Sequence, residues 1–138
     1  MMEIKIDNVK ISIPVGWSVR YTKSPQLFVI YSGIEVNDTF QENGNLVIEY
    51  LPREYSVKEY IDACIISLER VYKDFNIITS EGNYHIISGK INEISMQQIQ
   101  FFNVKEKIAY IFTCASDPKN FTRFEDTFRK IAASLIIE

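Results

Sequence analysis

The sequence predicts an α+β fold, an α/β/α sandwich in which a central, mostly antiparallel sheet carries one helix on each face. Three observations predict it. The run from Lys107 to Ala115 is apolar on both sides, with Ile108, Tyr110, Phe112 and Cys114 alternating with Ala109, Ile111, Thr113 and Ala115. Side chains alternate along a strand, so such a run belongs inside a sheet that is covered on both faces. Two segments, opening near Ser56 and Phe121, repeat apolar residues at helical spacing. Between them lie short β-rich runs divided by polar turns, the pattern of antiparallel neighbours.

Size and composition limit what the chain can be. Its 138 residues and 16.1 kDa fit a single domain spanning 1–138, long enough for a real core. With 46% hydrophobic and 13% aromatic residues, five Gly and four Pro, it is not a disordered or repeat chain. Net charge is −3, and the fifteen Lys and Arg are scattered rather than gathered on one stripe, so no nucleic-acid partner is expected. No apolar run approaches the ~18 residues of a membrane span. The start, MMEIKIDN, has neither the apolar centre of a signal peptide nor a lipoprotein cysteine, which predicts a cytoplasmic protein. An envelope location is the alternative if a leader has been removed.

Taken in order, the N-terminus predicts strands over 3–7 and 9–14 with Asp7-Asn8 as the turn, then a Pro14-Val15-Gly16-Trp17 corner whose Trp packs on the core. Two further short strands are expected over 18–22 and 27–32. From Gly33 to Asn45 the periodicity disappears and the chain becomes polar, with Asp38 and Glu42 close in sequence. A connection this long is often functional, which makes both carboxylates binding candidates. Leu46 to Leu51 resumes strand character.

Ser56-Val57-Lys58-Glu59 is a capping box, and Tyr55 and Tyr60 stand at staple positions around it. Val57, Tyr60, Ile61, Cys64, Ile65, Leu68, Val71, Tyr72 and Phe75 then recur at three and four residues, predicting a helix to about Phe75. Strands are expected over 76–80 and 84–94, the second with a bulge or close backbone approach at Gly89. A hairpin follows, its arms 96–102 and 107–115 joined by a turn over 103–106. Asp117-Pro118 predicts a stop and restart with Pro118 in the first helical turn, leading into a helix with Phe121, Phe124, Phe128, Ile131 and Leu135 along one seam.

Catalytic signatures are absent from the sequence: it has no Gly-rich phosphate loop, no G-x-S-x-G and no H-E-x-x-H. His85 is the only histidine, and no pair of candidate ligands has metal-site spacing, so neither a metal nor a cofactor is expected. Beside a Gly turn at a strand start, His85 is expected at the surface or a sheet edge. Cys64 and Cys114 sit in apolar runs and read as free buried thiols. One pattern does point to recognition. Gln98 and Gln100 share a strand face with Met96 and Phe102, a mixture of amides and apolar groups that can line a groove. The binding candidates are therefore Gln98, Gln100 and Phe102, together with Asp38 and Glu42 in the 33–45 loop.

Ile11-Ser12-Ile13-Pro14-Val15-Gly16-Trp17 resembles the strand–Pro-x-Gly-Trp opening of the PsbP-like superfamily, which embraces photosystem PsbP, fungal Ran-binding Mog proteins, DcrB and LpqN lipoproteins and Eag chaperones. Residues 39–48 resemble its loop into a strand, Ser56 to Leu68 its capped helix, and Ala109 to Thr113 with Phe121 to Leu135 its closing strand and helix. The resemblance implies an α/β/α sandwich with a binding or assembly role and no catalysis. The expected function is a non-catalytic binding module, an adaptor or chaperone for a protein partner. A small-ligand carrier with a pocket lined by Tyr60, Tyr72, Phe102 and Tyr110 is one alternative. The others are the soluble part of an envelope lipoprotein and a hydrolase built on His85.

Overall fold

The computed structural model describes residues 1–33 and 40–138. Its elements run β1 (Met2–Ile6), β2 (Val9–Ile13), β3 (Ser18–Tyr21), β4 (Gln26–Tyr31), β5 (Asn43–Tyr50), α1 (Val57–Val71), β6 (Lys73–Glu81), β7 (Tyr84–Ile91), β8 (Ile94–Lys105), β9 (Ile108–Ser116), α2 (Phe121–Ala133) and β10 (Ile136–Ile137). Seven strands form one sheet in the order β3-β4-β5-β9-β8-β7-β6, paired antiparallel throughout. A second sheet, β1-β2-β10, was not foreseen as separate. It clasps the two ends of the chain together, with Glu138 donating its N–H to the Asn8 carbonyl at 2.7 Å.

Strand β9 lies between β5 and β8, and its alternation divides the interior in two. Tyr110, Phe112 and Cys114 face a large core that contains Phe28, Ile30 and Leu46, Ile99 from β8, and Phe121, Phe128 and Ile131 from α2. Ile4, Val9, Ile11 and Ile13 of the small sheet complete that core, so α2 and the small sheet share the work of covering this face. Ala109 and Ile111 face the other way, toward a smaller core with Phe102 and with Tyr60 and Ile61 of α1. The sandwich is therefore real but unequal. One face is filled by aromatic and β-branched residues, whereas α1 seals only part of the other.

Local chemistry explains where the elements begin and end. The Ser56 hydroxyl accepts from the Glu59 N–H, and the Glu59 carboxylate accepts from the Ser56 N–H, both at 3.1 Å. This is the predicted capping box, and the Tyr55 and Tyr60 rings meet edge-on across it with centroids 6.5 Å apart. The helix ends at Val71 rather than Phe75, because Tyr72 turns extended and Asp74 takes a left-handed φ of 57°. Tyr72 and Phe75 satisfy the helical period, yet Tyr72 caps the helix and Phe75 lies in the edge strand β6, their ring centroids 6.2 Å apart. Gly89 pairs regularly with Met96 of β8 and stands opposite a bulge in β6, where the register shifts between Lys73 and Asn76. It is a close approach: a Cβ there would sit 2.9 Å from the Tyr72 Cβ, so only glycine admits that ring.

Two turns fall elsewhere than expected. Asn92 and Glu93, both at positive φ, form a two-residue hairpin that ends β7 at Ile91. Glu106-Lys107 is the other, which leaves Asn103 and Val104 inside β8. Pro118 lies in a turn closed by the Asn120 N–H on the Asp117 carbonyl, ahead of α2 rather than inside it.

Phe112 is 0% exposed and sits at the centre of the larger core. Replacing it with alanine removes its burial and leaves a cavity the surrounding strands cannot close, so Phe112→Ala is expected to cost about 3–5 kcal/mol in urea unfolding. A variant as stable as the parent would contradict the two-sided placement of β9.

Candidate functional site

On the face that α1 covers only in part, register brings polar residues of four strands into one row. Asn45 of β5 pairs with Thr113 of β9, Thr113 with Gln100 of β8, and Gln100 with His85 of β7. Their side chains face α1, in phase with Phe102, Ala109 and Ile111. His85 Nε2 lies 2.6 Å from Gln100 Oε1, an atom that can only accept, so this nitrogen carries the proton. The Gln100 amide then donates to the Thr113 Oγ1 at 3.0 Å. The Thr113 hydroxyl, accepting from Gln100, keeps its own hydrogen for another acceptor.

A parallel arrangement fixes Gln98. The Tyr72 hydroxyl donates to Gln98 Oε1 at 2.8 Å, which leaves the Gln98 amide nitrogen as an unengaged donor among the described residues. Gly89 makes this possible by letting Tyr72 lie against the sheet. Between this floor and α1 opens a cleft of about 610 Å³. Asn45, Gln98, Gln100 and Thr113 supply its polar floor, while Val47, Leu68, Phe102 and Ile111 make apolar walls. This volume lies within the range of ligand-binding clefts. At the β5 end the Tyr60 hydroxyl donates to a carboxylate oxygen of Glu49.

Burial sets the ionisation of these groups. It pushes the Tyr60 hydroxyl far above its ordinary value, with the bond to Glu49 acting in the same direction. It also pushes the Cys64 thiol up, which keeps that side chain a neutral part of the wall. His85 is 0% exposed, and burial lowers its pKa against a smaller opposing effect from Gln100. Its Nδ1 has no hydrogen-bond partner among the described residues.

The predicted residues fare differently. Gln98, Gln100 and Phe102 lie together on the cleft, as their alternation along β8 required. Asp38 lies outside the described residues. Glu42 does not line the cleft and is 1% exposed, not a loop-surface carboxylate: its carbonyl accepts from the Ser32 N–H at 2.9 Å and its Oε2 from the Ser116 hydroxyl at 3.3 Å. The polar spacing around Glu42 resembled a solvated loop, but β5 starts at the next residue and draws it inward. His85 is likewise buried rather than at a surface, because β6 adds a further strand outside β7 and Phe102 packs edge-on to the imidazole at 5.1 Å. Among the described residues no carboxylate, hydroxyl or thiol is hydrogen-bonded to the imidazole. Tyr110 faces the larger core, away from Tyr60, Tyr72 and Phe102. Among the described residues no group of three His, Cys, Asp or Glu side chains is placed to hold a metal ion, and no helix is long and apolar enough to cross a membrane.

Asn45, Glu49 and Thr113 were missed as site residues. Each is an ordinary polar position within its strand, and only the pairing of β5 with β9 brings them to one floor.

A central antiparallel sheet with a capped helix on one face and a closing helix on the other is an arrangement also found in solved proteins. Three of the solved proteins to which the chain is similar in structure illustrate the likeness. One is a Pseudomonas aeruginosa protein of unknown function, PA94, described as a putative regulator, with TM-score 0.71 and 11% identity over 100% of this chain and 97% of that one. Another is the Saccharomyces cerevisiae Ran-binding protein Mog1p, with TM-score 0.66 and 7% identity over 99% and 94%. The third is the cyanobacterial PsbP of Synechocystis, with TM-score 0.63 and 12% identity over 99% and 92%. At these identities the likeness is one of fold. No family model and no curated protein sequence matches the chain.

His85 carries a pH prediction. Its folded pKa is depressed below the ordinary 6.5, so the unfolded chain takes up a proton at a pH where the folded chain does not. Stability is therefore full above that value and declines as pH falls below it. Since no other histidine is present, urea unfolding across about pH 5–7 isolates the effect. The decline should be shallower in His85→Asn, and identical profiles would show that the imidazole titrates normally.

Proposed function

We propose that the chain is a non-catalytic binding module, an adaptor or chaperone that receives a segment of a protein partner in the cleft between α1 and the sheet. One observation carries this reading. In an open cleft, the Gln98 amide nitrogen and the Thr113 hydroxyl are held as donors between apolar walls, their other hydrogen bonds already made to Tyr72 and Gln100. Fixed donors beside apolar surface suit a polypeptide, whose carbonyls and side chains ask for both. Because the donors are already oriented, little rotamer freedom remains to be lost on binding. The likeness of fold to a Ran-binding protein supports a partner that is itself a protein.

Gln98→Glu tests it with little disturbance of the scaffold. A carboxylate still accepts from the Tyr72 hydroxyl but offers no donor to the cleft. Recovery of a crosslinked partner from the native host should fall about tenfold, the equivalent of ~1.4 kcal/mol, while thermal unfolding stays close to the parent's. Unchanged recovery would remove β8 from the binding face.

Tyr60, Tyr72 and Phe102 on the cleft favour a second reading, a carrier of a small molecule. That reading requires a retained mass in native mass spectrometry of protein from the host, which the first does not.

A further inference from the structure

We propose that the partner segment is extended and basic, with a lysine or arginine beside Glu49 and neutral, apolar residues running from there toward Thr113 and Gln98. This deepens the reading of the cleft as a groove for a protein segment and rests on it.

The charge of the lining carries the inference. Among the described residues that line the cleft, Glu49 is the one carboxylate, and no Lys, Arg or His stands with it. Tyr60 and Cys64, the nearest titratable neighbours, are both held neutral by burial. Glu49 accepts the Tyr60 hydroxyl at one oxygen and makes no ion pair among the described residues. Arg53, in the connection after β5, is committed elsewhere: it binds Glu59 at 3.2 Å and lies 3.8 Å above the Tyr55 ring. An acidic segment would bring its charge against this carboxylate, which is exposed at the mouth of the cleft. A basic one gains an ion pair in a molecule whose net charge is already −3.

Geometry sets the spacing. Asn45, Val47 and Glu49 share the inner face of β5, so Glu49 stands about 14 Å along the strand from the polar row at Asn45 and Thr113. An extended segment covers that distance in about four residues. Its cation can then reach Glu49 while a carbonyl meets the Thr113 hydroxyl or the Gln98 amide. Val47, Ile111 and Phe102 lie between and take apolar side chains.

The test uses the full chain, ¹⁵N-labelled, and short end-blocked peptides of leucine and alanine that differ in one terminal position, lysine, norleucine or glutamate. Amide shifts of Val47, Glu49, Gln98 and Thr113 are followed at low and high salt. The lysine peptide should bind about two- to fivefold more tightly than the norleucine peptide, and the glutamate peptide more weakly than either. High salt should compress the ranking. In Glu49→Gln, which keeps an acceptor for the Tyr60 hydroxyl, the ratio between lysine and glutamate peptides should fall to near one. Equal binding of the three peptides to the parent overturns the charge preference but leaves the groove standing, and so does a preference that survives in Glu49→Gln. Absence of shifts at the cleft with all three peptides overturns the groove as well.

Discussion

Burial of β9 on both faces is the constraint on which the rest of the structure depends. A strand with Phe112 and Cys114 on one side and Ala109 and Ile111 on the other loses stability wherever either side meets water. It must therefore pair on both edges and be covered above and below. β5 and β8 supply the edges, α2 with the small terminal sheet covers one face, and α1 covers the other. The two coverings are unequal because the residues beneath them are. Under α2 the sheet offers aromatic and branched side chains, and they interdigitate to exclude space. Under the later turns of α1 it offers Asn45, Thr113 and Gln100, which cannot pack as a dry layer against Leu68 and Val71.

That polar row is also where the structure departs from a purely apolar sandwich. Buried amides and imidazoles cost stability unless they are hydrogen-bonded, and the row meets part of this cost by linking His85 to Gln100 and Gln100 to Thr113 across the strands. The chaining has a direction. Proton placement on His85 fixes the Gln100 amide, the Gln100 amide donates to the Thr113 hydroxyl, and Thr113 lines the cleft. Tyr72 orients Gln98 in the same manner, and the missing Cβ of Gly89 lets it do so. Edge strand and helix end thus contribute to the floor without lining much of it. The result is a surface whose donors are set before any ligand arrives, which is the property expected of a recognition surface.

How much of this was legible in the sequence depended on the range of the interaction involved. The capping box at Ser56 and Glu59 and the two-sided alternation of β9 are written in neighbouring residues, so they could be read directly. Gln98, Gln100 and Phe102 shared a face for the same reason. The end of α1 could not be read, because Tyr72 and Phe75 fit the helical period and only pairing with β7 takes their segment into a strand. His85 and Glu42 were misplaced because the groups that bury them come from elsewhere in the chain, β6 and Phe102 around His85, Ser32 and Ser116 around Glu42. The partnership of Asn45, Thr113 and Glu49 with the glutamines required strand order and register, which a single sequence does not state.

The central claim is that the α1 face, and not the α2 face, is where another polypeptide lands. Site-specific photo-crosslinking measures this most directly. A photoreactive residue at Ser67, exposed on the cleft side of α1, is compared with one at Thr122, exposed on α2. In the native host the Ser67 probe should yield a discrete crosslinked polypeptide whose mapped peptide carries a basic residue, and the Thr122 probe should yield none. A discrete product from Thr122 with nothing from Ser67 would contradict the account.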